Sequence, residues 1–537
     1  MPHESMATRF GLRPIAYGRR GMVATANPLA SLAGVRMLAR GGNAVDAIVA
    51  AAAAIGVVEP YMSSLAGCGT AMVTPAGGRP RALVFLGVAP SGATSDRFHG
   101  EPPDHGYLSP AVPGNLAGWT RLLAEYGSLP LAEVLQPAIE LADGGIPVTP
   151  FDGLEMENSP ERFTPEAAAN YLHDGRVPEV GAILRQPDLA ATFRAIGSEG
   201  AGHLYGGPLG ERIARLMRER GGLITEADLR AYPERVRWVE PLSVGYRGVT
   251  VYAPPPPTSA VQVLETLRIL DGFELGPHLG PQHIGLVAEA VRLARVDTDR
   301  YVGDGVPSMA EHVLSAAHVE ELRAQVRRPA TGGGAFTDGD SGAGYGSTTH
   351  LAAADASGLA VNITHSLGSV FGSGVVVPET GVCLNNAMRW FSVKPGHPNE
   401  MAPGKMHEWP IAPLHLHRDG AFWATVGTPG SFGILATTTQ VVVNLVDYGL
   451  NVQDAVGAPR FRWADDVGDQ LPAERIVMES RFPEETRQAM AGRGYTVEPL
   501  GAWSMRVGGC QAIVRDPASG WLAGAGDPRR NGYAIGW

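Results

Sequence analysis

Apolar residues recur at helical spacing through the first half of the chain. From Pro28 to Arg40 they fall at Leu29, Leu32, Ala33, Val35 and Leu38, and Gly41-Gly42 then supplies a stop signal. Asn43 is placed to cap a second helix, with Asp46 in its first turn, where a negative charge complements the helix dipole. That helix, Ala44 to Val57, is almost entirely small and apolar, so the pattern predicts burial on all sides. Helical periodicity returns at Leu116–Tyr126, Leu131–Asp143, Leu209–Glu219, Ser259–Leu270 and Gln282–Tyr301. One strand-like stretch, Leu242 to Tyr252, is closed by the prolines Pro254 to Pro257. Beyond residue 347 the pattern turns to strands, at Leu351–Ala354, Leu359–Thr364, Gly374–Val377, Val382–Leu384, Leu414–His417 and Phe422–Val426. A helix from Ala436 to Tyr448 follows and stops at Gly449. No internal repeat is visible.

Between these halves, Arg328 to Ser347 is dense in glycine, with Asp338, Asp340 and Ser341, and reads as a linker. It ends in Gly344-Tyr345-Gly346-Ser347-Thr348-Thr349-His350. Backbone cleavage before Thr348 would expose a residue with both a hydroxyl nucleophile and a free α-amine. The amine has a reference pKa of about 7.7–8.0, so near neutral pH a useful fraction can accept the hydroxyl proton. The same residues also suit a plain strand start after a linker between two independent domains.

Composition narrows the function classes. With 537 residues the chain can bury a large core, and 44% hydrophobic with 18% charged residues is an ordinary globular balance. A formal charge of −11 argues against a nucleic-acid or anionic-membrane surface, since both want a basic stripe. Cys68, Cys383 and Cys510 are too few and too scattered for a disulfide framework or a spaced zinc site. His415 and His417 share one face of a strand, but no third metal ligand stands at a telling spacing. Met1 to Arg20 lacks the apolar core of a signal peptide, and Ile48 to Val58 is too short to span a bilayer. The expectation is a cytoplasmic protein with no membrane or nucleic-acid partner and no cofactor.

Many ordered segments resemble the γ-glutamyltransferase family of N-terminal-nucleophile hydrolases. They run from Gly21-Met22-Val23-Ala24 through Gly41-Gly42-Asn43-Ala44-Val45-Asp46-Ala47, Val112-Pro113-Gly114 and Gln136-Pro137-Ala138. They continue at Asp228-Leu229, Phe371-Gly372-Ser373-Gly374, Leu384-Asn385-Asn386, Asp447 to Asn451 and Ala458 to Phe461, and end at Gly524 to Arg529. The resemblance implies an α+β fold, a four-layer αββα sandwich of two antiparallel sheets. It also implies a precursor that cuts itself between Ser347 and Thr348 into a large fragment, 1–347, and a small one, 348–537. Thr348 would be the nucleophile and Thr349 a second hydroxyl near the α-amine. Ser366 aligns with a family threonine that contacts the nucleophile, and Gly430-Ser431 with the glycine pair that forms an oxyanion hole.

Departures from the family pattern bear on the substrate. The family arginine for the γ-glutamyl α-carboxylate aligns with Leu86, its serine pair with Trp409 and Pro410, and its acid for the ammonium with Trp390. Gly368 stands where an asparagine follows, and Ala387 where the asparagine tract has a polar residue. Hydrogen bonds to charged groups are worth about 1.5–3 kcal/mol each, so several losses disfavour a γ-glutamyl substrate by at least three or four powers of ten. Leu86, Trp390, Trp409 and Pro410, with Asn386 and His407 beside them, suggest a flat, largely apolar acyl pocket for a small molecule. Both tryptophans also suit plain core packing. The reading is a hydrolase or acyltransferase cleaving an amide-type bond in a non-γ-glutamyl substrate, a class whose similar members include cephalosporin acylases and oxamate hydrolases. Two alternatives remain: a C–C bond hydrolase like those of alkylproline-type natural-product pathways, and a non-catalytic binding relative.

Overall fold

The run Leu351–Ala354 extends in both directions into a nine-residue strand, Ser347–Asp355, in which every residue is buried. Such a strand needs partners on both edges and cover on both faces, and it has them. In the computed structural model, which describes residues 13–98, 100–157, 159–306, 309–326, 347–463 and 475–537, it lies inside one of two seven-stranded antiparallel sheets. Its sheet runs in the order Tyr533–Gly536, Gly21–Thr25, Ser347–Asp355, Ala360–Gly368, Cys68–Thr74, Arg81–Phe85 and Arg237–Val239. The facing sheet runs Ala16–Gly18, Leu522–Gly526, Gln511–Arg515, Ala421–Gly427, Leu414–Arg418, Val249–Ala253 and Leu242–Tyr246. Both sheets therefore combine segments from before and after residue 347.

Helices cover the outer faces. Pro28–Ala39, Ala44–Val58 and Asn115–Tyr126 pack on the first sheet, and Val261–Leu270, Gly433–Val446 and Val452–Gly457 on the second. The result is the expected four-layer αββα sandwich. All fifteen residues of Ala44–Val58 are buried, as its apolar circumference predicts. Its start is a capping box: Asn43 Oδ1 accepts from the Val45 and Asp46 amides, while Asp46 accepts from the Asn43 amide at 2.8 Å. Asp355 Oδ2, at the end of the central strand, takes the Ala44 amide at 2.9 Å. The helix start is thereby tied to the sheet it covers.

Two local expectations change. The stretch Leu242 to Tyr252 is two strands, Leu242–Tyr246 and Val249–Ala253, joined by a hairpin in which Arg247 and Gly248 have φ of 49° and 80°. Two consecutive positive φ values match the right-handed twist of a hairpin. Ser347, read from sequence as the last linker residue, is buried and already in the strand. The rest of that linker, 328–346, lies outside the described residues. Among the described residues, no helix is long and apolar enough to cross a membrane, and all three cysteines are buried thiols.

Candidate active site

Thr348 sits where the pairing of the two central strands slips. Ser347 pairs with Gly368 and Thr349 with His365, so Ser366 and Leu367 together face the single residue Thr348. A bulge of this kind bends one strand and re-aims its side chains. Here it turns the Ser366 hydroxyl onto the carbonyl of Ser347, to which it donates a hydrogen bond. Ser366 Oγ in turn accepts from the Gly368 amide at 2.8 Å. Thr348 Oγ1 lies 2.8 Å from the Ser347 carbonyl oxygen and 3.2 Å from Ser366 Oγ. Two hydroxyls thus converge on the peptide bond that precedes Thr348, in a setting where Thr348 is only 2% exposed.

The neighbouring groups fix this peptide from the other side. The Ser347 hydroxyl donates to the Tyr61 carbonyl, and Arg530 donates to the Thr348 carbonyl at 2.9 Å. Arg530 is buried, which pulls its pKa below the usual guanidinium range, while Glu59 and Glu155 oppose that shift. Glu59 is fully buried and both its carboxylate oxygens lack a hydrogen-bond partner. Burial pushes it up to about 8 against the pull of Arg530. Sequence reasoning missed Arg530, Tyr61 and Glu59. Arg530 directly follows the tract Gly524 to Arg529, whose resemblance to relatives was the available signal.

Histidines crowd the strands but carry no charge there. Burial lowers His350 and His365 to about 3, so both are neutral at physiological pH. His350 Nδ1 meets Thr364 Oγ1 at 2.8 Å, and His365 Nδ1 lies 3.3 Å from both Ser63 Oγ and Asn115 Nδ2. Thr349 Oγ1 is buried without a partner. His415 and His417 both approach Thr74 Oγ1, at 2.7 and 3.4 Å. Among the described residues the group of three metal-ligating side chains is a different one, Glu265, Asp297 and His318. It reads as a hydrogen-bonded cluster around a charged histidine: His318 is pushed up to about 9 by its bonds to Glu265 and Asp297.

The Gly430–Ser431 pair follows the strand Ala421–Gly427 and precedes the helix Gly433–Val446. Gly427 has no room for a Cβ because the His350 ring fills that space, which brings this turn over the Thr348 strand. Gly430 and Ser431 have φ of 132° and 58°. For serine this left-handed value is uncommon, and Arg462 braces the turn by donating to the Gly430 carbonyl at 3.1 Å. Positive-φ backbone leading into a helix N-terminus is suited to present N–H groups to an anion.

Beside the turn opens a cavity of about 480 Å³ whose wall includes Trp390, Phe391, Phe432 and Asn399 together with Arg295 and Glu408. Phe432 adjoins Ser431, and Trp390 Nε1 would lie 3.4 Å from a Cβ built on Gly368, the strand partner of Ser347. Two wall residues thus neighbour the Thr348 site, while Thr348, Ser366, Gly430 and Ser431 are not themselves in the wall. Of the predicted substrate contacts only Trp390 lines it. Trp409 stands behind, stacked on Trp390 with centroids 6.2 Å apart, and His407 packs on Trp409 at 4.5 Å. Leu86, His407 and Pro410 are buried and outside the cavity wall. Asn386 is a loop clamp, accepting from the Ser369 amide at 2.9 Å and donating to the Asp104 carbonyl at 2.7 Å. The wall is also more charged than the apolar pocket expected from sequence. Glu408, which its place between His407 and Trp409 makes a candidate polar contact, lines it, and Arg295 reaches it from the helix Pro281–Tyr301, which that reading did not connect with it.

The sequence model of gamma-glutamyltranspeptidase matches residues 30–537. The acylase ACY 1 proenzyme of Pseudomonas sp. (strain SE83) is 37% identical, over 97% of this chain and 94% of its own. The glutathione hydrolase proenzyme of Escherichia coli (strain K12) is 33% identical, over 96% of this chain and 93% of its own. A cephalosporin acylase from Bacillus halodurans superposes with a TM-score of 0.90 at 33% identity, covering 100% of this chain and 98% of the other. With this match over nearly its whole length, the chain belongs to the gamma-glutamyltranspeptidase family of N-terminal-nucleophile hydrolases and is an enzyme.

Proposed function

We propose that the chain is a self-processing amidohydrolase or acyltransferase that uses Thr348 as its nucleophile. The observation that carries this reading is the bulge, which aims the Thr348 and Ser366 hydroxyls at the Ser347 carbonyl. In self-cleavage, Thr348 Oγ1 attacks the Ser347 carbonyl carbon while Ser366 donates to the oxygen that becomes negative. The C–N bond breaks, its nitrogen takes the proton released by the hydroxyl, and an ester joins Ser347 to Thr348 Oγ1. Water hydrolyses that ester and leaves fragments 1–347 and 348–537.

The freed α-amine of Thr348 then serves as base for its own hydroxyl. Attack on a substrate amide yields an acyl-enzyme and a released amine, and water or a second amine takes the acyl group. The turn at Gly430 and Ser431, with its positive φ values just before a helix, supports an oxyanion hole built from backbone N–H groups. Leu86 leaves the usual carboxylate position without a cation, so the substrate is a small molecule other than a γ-glutamyl compound.

Denaturing gels and N-terminal sequencing test the reading. Wild-type protein should resolve into two fragments, the smaller beginning Thr-Thr-His, and Thr348→Ala should stay whole. A small fragment with any other start, in a preparation that turns over substrate, overturns it. Rapid turnover of γ-glutamyl anilide would contradict the substrate part alone.

A further inference from the structure

We infer that Arg295 is a specificity-determining residue which holds a carboxylate of the substrate at the far wall of the cavity beside Phe432. The inference rests on the amidohydrolase reading above and narrows its substrate class to an amide with a free carboxylate.

Arg295 projects from the helix Pro281–Tyr301 into the cavity wall, yet it is only 4% exposed. Its guanidinium carbon sits 3.9 Å above the centre of the Phe432 ring, a cation–π contact that fixes the plane of the fork. It makes no hydrogen bond or ion pair among the described residues, and its buried Nε has no partner. Arginine cannot shed its proton in a protein, so burial cannot be relieved by neutralisation. A desolvated charge of this kind calls for a counter-ion.

Of the acids around it, Glu101 in the wall is solvent-exposed, and the buried or half-buried ones are otherwise engaged. Asp297, two residues on, takes His318 at 2.6 Å. Asp299, one turn on, lies 3.9 Å from His397, and Glu408 accepts the Ser259 hydroxyl. Arg389, the other guanidinium in the wall, is committed to Asp104 and Ser369. That leaves Arg295 with open donors facing the cavity. A planar fork matches a carboxylate with two parallel N–H···O bonds. The remaining wall, Trp390 against Phe432 with centroids 5.8 Å apart, suits a flat or methylene spacer between that carboxylate and the amide carbon presented to Thr348. The guanidinium comes from a different element than Leu86, so the spacing of carboxylate to scissile bond should differ from that of a γ-glutamyl group.

The test uses matched p-nitroanilides of four- to six-carbon ω-carboxy acids and their methyl esters, with processed wild-type enzyme, Arg295→Met and Arg295→Lys. Wild type should favour at least one free acid over its ester by about 100-fold in kcat/KM. In Arg295→Met the acid-to-ester ratio should fall toward one, and Arg295→Lys should keep part of the preference. An unchanged acid-to-ester ratio in Arg295→Met overturns the inference, as does a wild-type enzyme without preference for any acid. Binding of the free ω-carboxy acids, followed by tryptophan fluorescence, separates this from failure of the nucleophile reading. If no anilide turns over, discrimination of acid from ester by wild type and its loss in Arg295→Met still supports the site, and equal binding still sinks it.

Discussion

Replacing Ser366 by alanine removes one hydroxyl from the centre of the proposed self-cleavage geometry and leaves the strand pairing in place. That hydroxyl does three things at once. It donates to the Ser347 carbonyl, accepts from the Gly368 amide at 2.8 Å, and lies 3.2 Å from Thr348 Oγ1. A single donor aimed at a developing oxyanion is worth about 10²–10³ in rate, or about 2.7–4 kcal/mol of barrier. The orphaned Gly368 amide adds a stability cost of about 1–3 kcal/mol, because a buried donor without a partner loses its full desolvation energy. Ser366→Ala should therefore fold, with a lower denaturation midpoint, and convert to two fragments at least about a hundredfold more slowly on a denaturing-gel time course. Ser366→Thr keeps the hydroxyl and should process within a few fold of wild type. If Ser366→Ala processes within twofold of wild type, the carbonyl is activated by another group and the role assigned to the bulge is wrong.

Two further outcomes follow from the same structure. Gly368→Ala should destabilise the fold by about 2–4 kcal/mol, since Gly368 has φ of 102° and a Cβ there would collide with Asn386 Oδ1; a denaturation midpoint equal to wild type refutes it. Stability should peak near pH 6.5 in urea titrations from pH 4 to 9. On the acid side His283, His350, His365 and His407 are held by burial at about 3, 3, 3 and 4. The unfolded chain binds protons these rings cannot, so each removes up to about 1.4 kcal/mol per pH unit below 6.5. On the alkaline side Glu59, Glu155 and Glu265 are raised by burial to about 8, 7 and 8. Each lends stability while protonated, and that stability is lost progressively from pH 4.5, the ordinary value, up to the folded value. Below pH 6.5 these three therefore offset part of the slope of the four histidines, and above it they set the decline. A profile flat from pH 5 to 8 would count against both halves of this account.

Long periodic elements were legible in the sequence because their pattern repeats over several turns. Ala44–Val58 and Pro281–Tyr301 emerge within a residue of the boundaries read from composition and capping. Some wholly buried strands of the first half, Gly21–Thr25 and Cys68–Thr74, were not. Cys68–Thr74, which pairs with the Ser366 strand, offers a run of small and apolar residues with no alternation to betray it. Thr348 and Ser366 could be paired by resemblance, but the bulge between them is a matter of register, which no local pattern encodes. Arg530 and Arg295 escaped for a related reason. Each arrives from a remote segment, and only the folded sheet order and helix packing bring one to the Thr348 carbonyl and the other to Phe432.

The interleaving of the two sheets has a mechanical consequence. The strand beginning at Ser347 is flanked by Gly21–Thr25 on one edge and Ala360–Gly368 on the other, and Tyr533–Gly536 closes the far side of Gly21–Thr25. A nick before Thr348 would therefore be topologically silent: neither piece holds a complete sheet, and pulling them apart amounts to unfolding both. Reassembly from separately made halves would have to rebuild each layer in one cooperative event, so the uncut polypeptide acts as its own assembly jig and becomes dispensable only once the layers have closed.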